Sequence, residues 1–341
     1  MSASRYAFVL AGAALVATSI CACANDGTTE LATGGLMFVR GDNLEMLSQH
    51  ITISPSEIGI RYRLLNKSDR DVTVLISFPL PDIHVEGPDE TVALPSDDPV
   101  NLLSFSTAVN GKAVSAGAEQ RALSAGLDRT QLLRRLGIPL APHLVDTHDA
   151  LDRLAPDKWE ELRRIGVAEV EEQDSGGGVK RHLAPRWALQ TTFFWEQTFP
   201  AKTEIMIEHR YKPSVGQTDQ TLLGAPNEMK EPWYEEYKDK YCFSYELLAT
   251  LERARKAANS RFGAPFSEQR IDYVHKTWVN GLGTPIGEFR LTVDKGVPDN
   301  LVSFCGEEAQ RISDTQLEVK RSDYTPDGNI AVLFLSKKPR P

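Results

Sequence analysis

Along the chain, apolar and polar positions first alternate and only later fall into helical spacing. In Glu57–Leu65, Ile58, Ile60, Tyr62 and Leu64 share one parity, while Arg61 and Arg63 share the other. A period of two with one apolar face is the signature of a half-buried strand. Val72–Leu80 repeats it, with Val72, Val74, Ile76, Phe78 and Leu80 opposite Thr73, Leu75 and Ser77. The polar turn Asn66–Asp71 between the two runs predicts an antiparallel pair. Pro79 and Pro81 end the second run, because proline has no amide to give to a ladder. Strands are also expected around Leu36–Arg40 and Glu45–Ile53. Leu102–Val114 reads as a hairpin turning at Asn110-Gly111, a type I′ signal.

From about Ala118 the apolar spacing becomes helical, which predicts a helical excursion over residues 118–172. Asp146 or Thr147 is placed to cap one helix, and Pro156 occupies an N1-like position in another. Glu171–His182, rich in glycine and charge, reads as a flexible return loop. Alternation resumes at "FFWEQTFPAKTEIMIEHRY". Phe193, Trp195 and Phe199 share a parity, and Pro200 breaks the run. Ile205, Ile207, His209 and Tyr211 then line one face, opposite Glu204, Met206, Glu208 and Arg210. These strands are expected to rejoin the first sheet and close a sandwich. In the last third, Leu247, Leu248, Leu251 and Ala254 form a helical stripe, and short strands with Gly, Pro and Asp turns follow. The expected fold is mainly β with α insertions. Residues 25–216 would form an N-terminal antiparallel β-sandwich carrying the helical excursion, residues 217–336 a smaller α+β antiparallel-sheet domain, and 337–341 a tail.

The first 24 residues have a different character. Arg5 precedes the apolar run Tyr6–Ile20, and Ala22-Cys23-Ala24 fits the A-x-A cleavage rule, with Asn25 as the new start. The run falls short of the ~20 residues a bilayer span requires. The expectation is a signal peptide and a periplasmic or secreted protein with no transmembrane helix after cleavage. Lipid attachment at Cys23, preceded by Ile20, Cys21 and Ala22, is the alternative. Cleavage leaves two of the four cysteines, Cys242 and Cys305. In an oxidising compartment two remaining cysteines point to a disulfide. Two free thiols or a metal site are the other readings, though no third ligand stands nearby at metal spacing.

Net charge is −9, and one unit more negative without Arg5. That balance gives no electrostatic basis for binding nucleic acid. Hydrolase-elbow, P-loop, dinucleotide-binding and H-E-x-x-H signatures are absent from the sequence, and no cofactor is implied. The seven histidines are scattered. His143 and His148, flanked by Asp146 and Asp149, are metal-ligand candidates by residue type, although "PHLVDTHD" also reads as a polar loop entering a helix cap. Glu196 and His209 would make an acid and a base if their strands paired. The parity of His209 places it instead on an apolar wall. Trp195 and Tyr211 are candidates for a ligand-lining groove, although aromatics in strands favour core packing.

Four stretches carry a family resemblance: "ANDGTTELATGGLMFVR", "ISPSEIGIRYRLLNKSDRDVTVLISFPLPDI", "FFWEQTFPAKTEIMIEHRYKPSVG" and "RIDYVHKTWVNGLGTPIGEFRLTVDKGVPDNLVSFCGE". Together they resemble an exported proteobacterial family known as a domain of unknown function, DUF4424. The order of elements is also similar to the β-sandwich modules of inter-α-trypsin inhibitor heavy chains. The first resemblance implies no catalytic residues, and the second implies a sandwich used for binding. The functional expectation is an envelope protein that binds an envelope partner or ligand without catalysis. Apolar stripes in Arg129–Leu136 and Trp159–Ile165 are the expected partner surface. An envelope hydrolase or metal-dependent enzyme, and a structural subunit of an envelope assembly, are the alternatives.

Overall fold

A computed structural model describes residues 33–34, 37–38, 43–84, 93–174, 178–261, 263–275 and 285–337. Residues 1–24, expected as a signal peptide and including Cys21 and Cys23, lie outside the described residues. The chain opens with β1 (Thr33–Gly34), β2 (Met37–Phe38), β3 (Leu44–Ile53), β4 (Ile58–Asn66), β5 (Val72–Pro79), β6 (Ser106–Val109), β7 (Lys112–Val114), β8 (Gly117–Ser124) and β9 (Leu127–Asp128). Three helices follow, α1 (Thr130–Arg135), α2 (Val145–Asp152) and α3 (Pro156–Arg164). Then come β10 (Ala168–Asp174), β11 (Val179–Pro185), β12 (Ala188–Phe199), β13 (Glu204–Tyr211) and β14 (Gly216–Thr218). The last third holds α4 (Pro232–Tyr241), α5 (Tyr245–Ala257), β15 (Phe266–Val274), β16 (Ile286–Asp294), β17 (Leu301–Phe304), β18 (Gln310–Arg311), β19 (Gln316–Tyr324) and β20 (Ile330–Lys337).

The largest sheet has eight strands in the order β18-β19-β16-β3-β4-β13-β6-β7. Its pairs are antiparallel except that β16 runs parallel to β3. The alternation in β4 is realised: Ile58, Ile60, Tyr62 and Leu64 are buried while Arg61 and Arg63 are exposed. Asn110 and Gly111 both take positive φ, the geometry an I′ hairpin needs. A five-stranded sheet, β2-β5-β12-β8-β9, packs on the inner face of the large sheet, with Ile76, Phe78, Phe193 and Trp195 meeting Tyr62, Ile207 and Tyr211 in one core. A second five-stranded sheet, formed by β1, β15, β20, β17 and β14, joins the same core through Ile271, Tyr273 and Phe334. β1 pairs with β15 and β2 with β5, so the first described strands tie the two smaller sheets together.

The structure is therefore mainly β with several antiparallel sheets and helical insertions. It differs from the sequence reading at particular places. β12 and β13 do not pair: β12 lies between β5 and β8, and β13 between β4 and β6. The turn through Pro200–Thr203, with Lys202 at positive φ, carries the chain from one layer of the sandwich to the other. The expected boundary at 216–217 is crossed by the large sheet, because β16, β18 and β19 extend it from β3. Residues 118–124, expected as helix, are strand β8. Their side chains Ala122 and Ser124 are buried and Glu119 and Arg121 exposed, a period of two imposed by pairing with β12. The expected return loop over 171–182 is largely an antiparallel β10–β11 ribbon. Thr147 caps no helix; its hydroxyl donates to the Ala141 carbonyl. Pro156 does open α3.

The helical module has its own small core, in which Leu133, Leu151, Leu162, Leu183 and Trp187 meet. Leu133 and Leu162, from the stripes expected to face a partner, are fully buried there. Helices α4 and α5 cover the outer face of the second five-stranded sheet, where Tyr234, Tyr241, Leu247 and Leu251 pack on Phe266, Leu333 and Leu335. Helix α4 is not among the elements expected from the sequence pattern. Pro232 opens it, Lys238 and Lys240 occupy its last turn, and Cys242 ends it at positive φ. Cys242 and Cys305 form a disulfide spanning 63 positions, which fastens the end of α4 to the end of β17.

Candidate functional site

The aromatic stretch that suggested an acid and a base places them on opposite sides of a sheet layer. Glu196 lies on the exposed face of β12, in register with Leu75 of β5. His209 is fully buried between the layers. Its ring is surrounded by Phe105 at 5.2 Å, Phe78 at 5.5 Å, Tyr62 at 5.6 Å and Trp195 at 5.7 Å between centroids. Neither of its ring nitrogens meets a hydrogen-bond partner among the described residues. Burial pushes its pKa down to about 3, so the ring is neutral at physiological pH. Trp195 and Tyr211 are buried in the same core. The four residues form wall and core on one side and bare surface on the other, with no shared groove.

His143 is half-buried with both ring nitrogens unpartnered among the described residues, and burial lowers its pKa, with His148 adding a smaller push in the same direction. Among the described residues, no group of three or more His, Cys, Asp or Glu side chains is placed to hold a metal. One pair escaped the sequence reading. His182 Nδ1 lies 2.6 Å from Asp152 Oδ2, and Asp152 Oδ1 accepts the Leu183 amide at 2.9 Å. That carboxylate ties the end of α2 to β11. A buried carboxylate, Glu268, accepts from the Thr221 hydroxyl and from Tyr237 at 2.7 Å, with Arg270 beside it at 3.4 Å. It links the second five-stranded sheet to α4.

Groups of opposite charge converge instead on the outer face of the large sheet. Registry there sets His50, Arg61 and Glu208 in one row across β3, β4 and β13. Thr52, Gly59 and Arg210 make the next row. Gly59 sits at the centre, and Glu57 precedes it on the same face just before β4. A Cβ added at Gly59 would meet nothing within 4 Å. The missing side chain leaves a basin of about 230 Å³ ringed by His50, Thr52, Glu57, Arg61, Glu208 and Arg210. Arg61 gives Nε and Nη2 to Glu208 Oε1, each at 3.0 Å. Arg210 Nη1 reaches Glu57 Oε1 at 3.4 Å, a looser pair. His50 Nε2 lies 3.0 Å from the Thr292 hydroxyl. Burial, then Arg290 and Arg61, lower the pKa of His50, so it adds no positive charge at neutral pH. The ring sets two guanidinium groups against two carboxylates. A sequence signal for the basin exists: a glycine inside an otherwise alternating strand marks a place where a ligand or another backbone approaches closely.

The family model described as "Domain of unknown function (DUF4424)" matches residues 24–333. The chain belongs to the DUF4424 family. The matched span contains the whole basin, both disulfide cysteines and the helical module, so these are features of a DUF4424 chain rather than of an appended domain. No curated protein matches this DUF4424 chain. Among solved structures, it is similar to a candidate nutrient binding protein from Legionella pneumophila, at 15% identity and a TM-score of 0.47, over 91% of this chain and 72% of that one.

Proposed function

We propose that this DUF4424 protein is an exported binding protein of the cell envelope, holding a small polar ligand on the outer face of its eight-stranded sheet. The glycine-centred basin carries this reading: its charged groups face solvent and converge on a space kept open by the absence of one side chain. Its volume lies just below the roughly 300–1,000 Å³ of pockets for drug-sized molecules, which limits the occupant to something small. The leader sequence and the Cys242–Cys305 disulfide support export, since disulfides persist in oxidising compartments.

Two measurements test the proposal. Mass spectrometry of the protein recovered from the periplasmic fraction should find a chain beginning at Asn25; a lipid-modified Cys23 would replace the secreted form with an anchored one. A chain retained in the cytoplasm with residues 1–24 intact would reject export. Small molecules released from wild-type protein after incubation with envelope extract should include at least one absent from Gly59→Leu. Identical release from the two proteins would reject the basin.

A further inference from the structure

We infer that the ligand of the basin is a small zwitterion, a free amino acid with a short or polar side chain. This rests on the basin being the binding site. The charges around Gly59 come in two ion pairs that differ in tightness. Arg61 holds Glu208 through two donors at 3.0 Å, and Arg210 touches Glu57 only at 3.4 Å. Arg210 and Glu57 are half or more exposed, and exposed pairs of this kind contribute little to stability. The looser pair is the one a ligand can open at small cost.

What enters that gap must satisfy both halves. A guanidinium matches a carboxylate with two parallel hydrogen bonds, so the ligand carboxylate goes to Arg210. The freed Glu57 carboxylate then takes an ammonium group, which donates up to three hydrogen bonds. A simple anion would gain Arg210 but face Glu57 and Glu208, and a simple cation would gain the carboxylates but face both arginines. A molecule with both charges a few bonds apart replaces one ion pair by two and leaves the net charge of the ring unchanged. The basin has no apolar wall of its own. Thr52 and the bare backbone at Gly59 form its floor, and the Ile60 and His209 side chains point to the opposite face. A large apolar side chain on the ligand would find no cover there.

The test uses the full mature chain with its disulfide intact and four probes: L-serine, glycine, acetate and methylammonium. Calorimetric titration should show serine and glycine bound at least about tenfold more tightly than either single-charge probe. Amide NMR shifts should centre on Thr52, Gly59 and Arg210. Gly59→Leu should keep the wild-type spectrum elsewhere and lose binding, since its side chain enters open space. Arg210→Gln and Glu57→Gln should each weaken serine by about tenfold or more while changing acetate and methylammonium in opposite senses. Acetate bound as tightly as serine, and lost in Gly59→Leu, would overturn the zwitterion and leave the basin standing. Serine bound equally well by Gly59→Leu would overturn the basin itself. No response to millimolar serine or glycine would overturn the zwitterion, with the extract comparison then deciding on the basin.

Discussion

At the scale of single residues, the two that draw the eye in the sequence and the one that does not have exchanged places. By residue type His209 and Glu196 suggest chemistry, whereas Gly59 is silent within an alternating strand. Burial reverses the ranking, because a histidine sealed among four aromatic rings cannot trade protons with a solvent-borne substrate. Its burial has a consequence for stability. Unfolded, the ring protonates near pH 6.5; folded, it resists until about 3. Between these values the unfolded chain binds the extra proton, so stability falls as pH drops through 6.5 and goes on falling towards 3. Above 6.5 neither state carries the proton and the effect vanishes. At pH 5 the difference amounts to roughly 2 kcal/mol. His275, buried beside Gln49 with its pKa lowered to about 4, adds a second loss over the upper part of the same range. Urea denaturation of His209→Leu should show a pH 7-to-5 loss of stability smaller by about 2 kcal/mol than in the wild type. An identical loss would mean that His209 is protonated in the folded state.

Elements divide according to how local their determinants are. β4 and β5 were legible because each buries one face and obeys a strict alternation, and the Asn110-Gly111 turn was legible because its backbone geometry tolerates few other residues. β8 was not, because Ala118–Ser124 is polar enough to pass for a helix surface and becomes a strand only through its pairing with β12. The crossing of Pro200–Thr203 between layers was also beyond local reading, since two strands that leave for different sheets have the same alternation as a hairpin. The basin needed registry across three strands, which no single segment encodes. The disulfide belongs to this scale too. Cys242 ends α4 and Cys305 follows β17, and the backbone there is further held by the Ser303 hydroxyl donating to the Tyr241 carbonyl at 2.9 Å. Closing 63 positions corresponds to roughly 4 kcal/mol by chain entropy, with measured values commonly 2–4. Cys242→Ser/Cys305→Ser should lose stability by about that amount in denaturant while β15 and β20 keep their amide protection until the global transition. Early exchange confined to α4 and α5 would show instead that the bond holds only the helices.

For the whole molecule, the decisive feature is the parallel seam between β3 and β16. From Glu288 to Val293, β16 lies against Ser48 to Ile53, and β19 and β18 continue outwards from it. A chain ending at residue 216 would keep the N-terminal strands and the helical module, yet it would turn a central strand of the largest sheet into an open edge. It would also strip Ile271, Tyr273, Phe289, Leu291, Val332 and Phe334 from the core that Tyr62 and its neighbours share. An exposed edge together with an uncovered apolar face favours aggregation over folding. The fragment 25–216 is therefore expected to be insoluble or to lack near-ultraviolet circular dichroism. The two fragments 25–216 and 217–341 co-expressed should recover solubility by pairing β3 with β16. In the intact protein, calorimetry should show the three sheets melting in one transition, with the helical module, which has its own core, the part able to open first. A soluble 25–216 fragment with native near-ultraviolet signal, or two resolved transitions that divide at residue 216, would instead establish two independently folding domains.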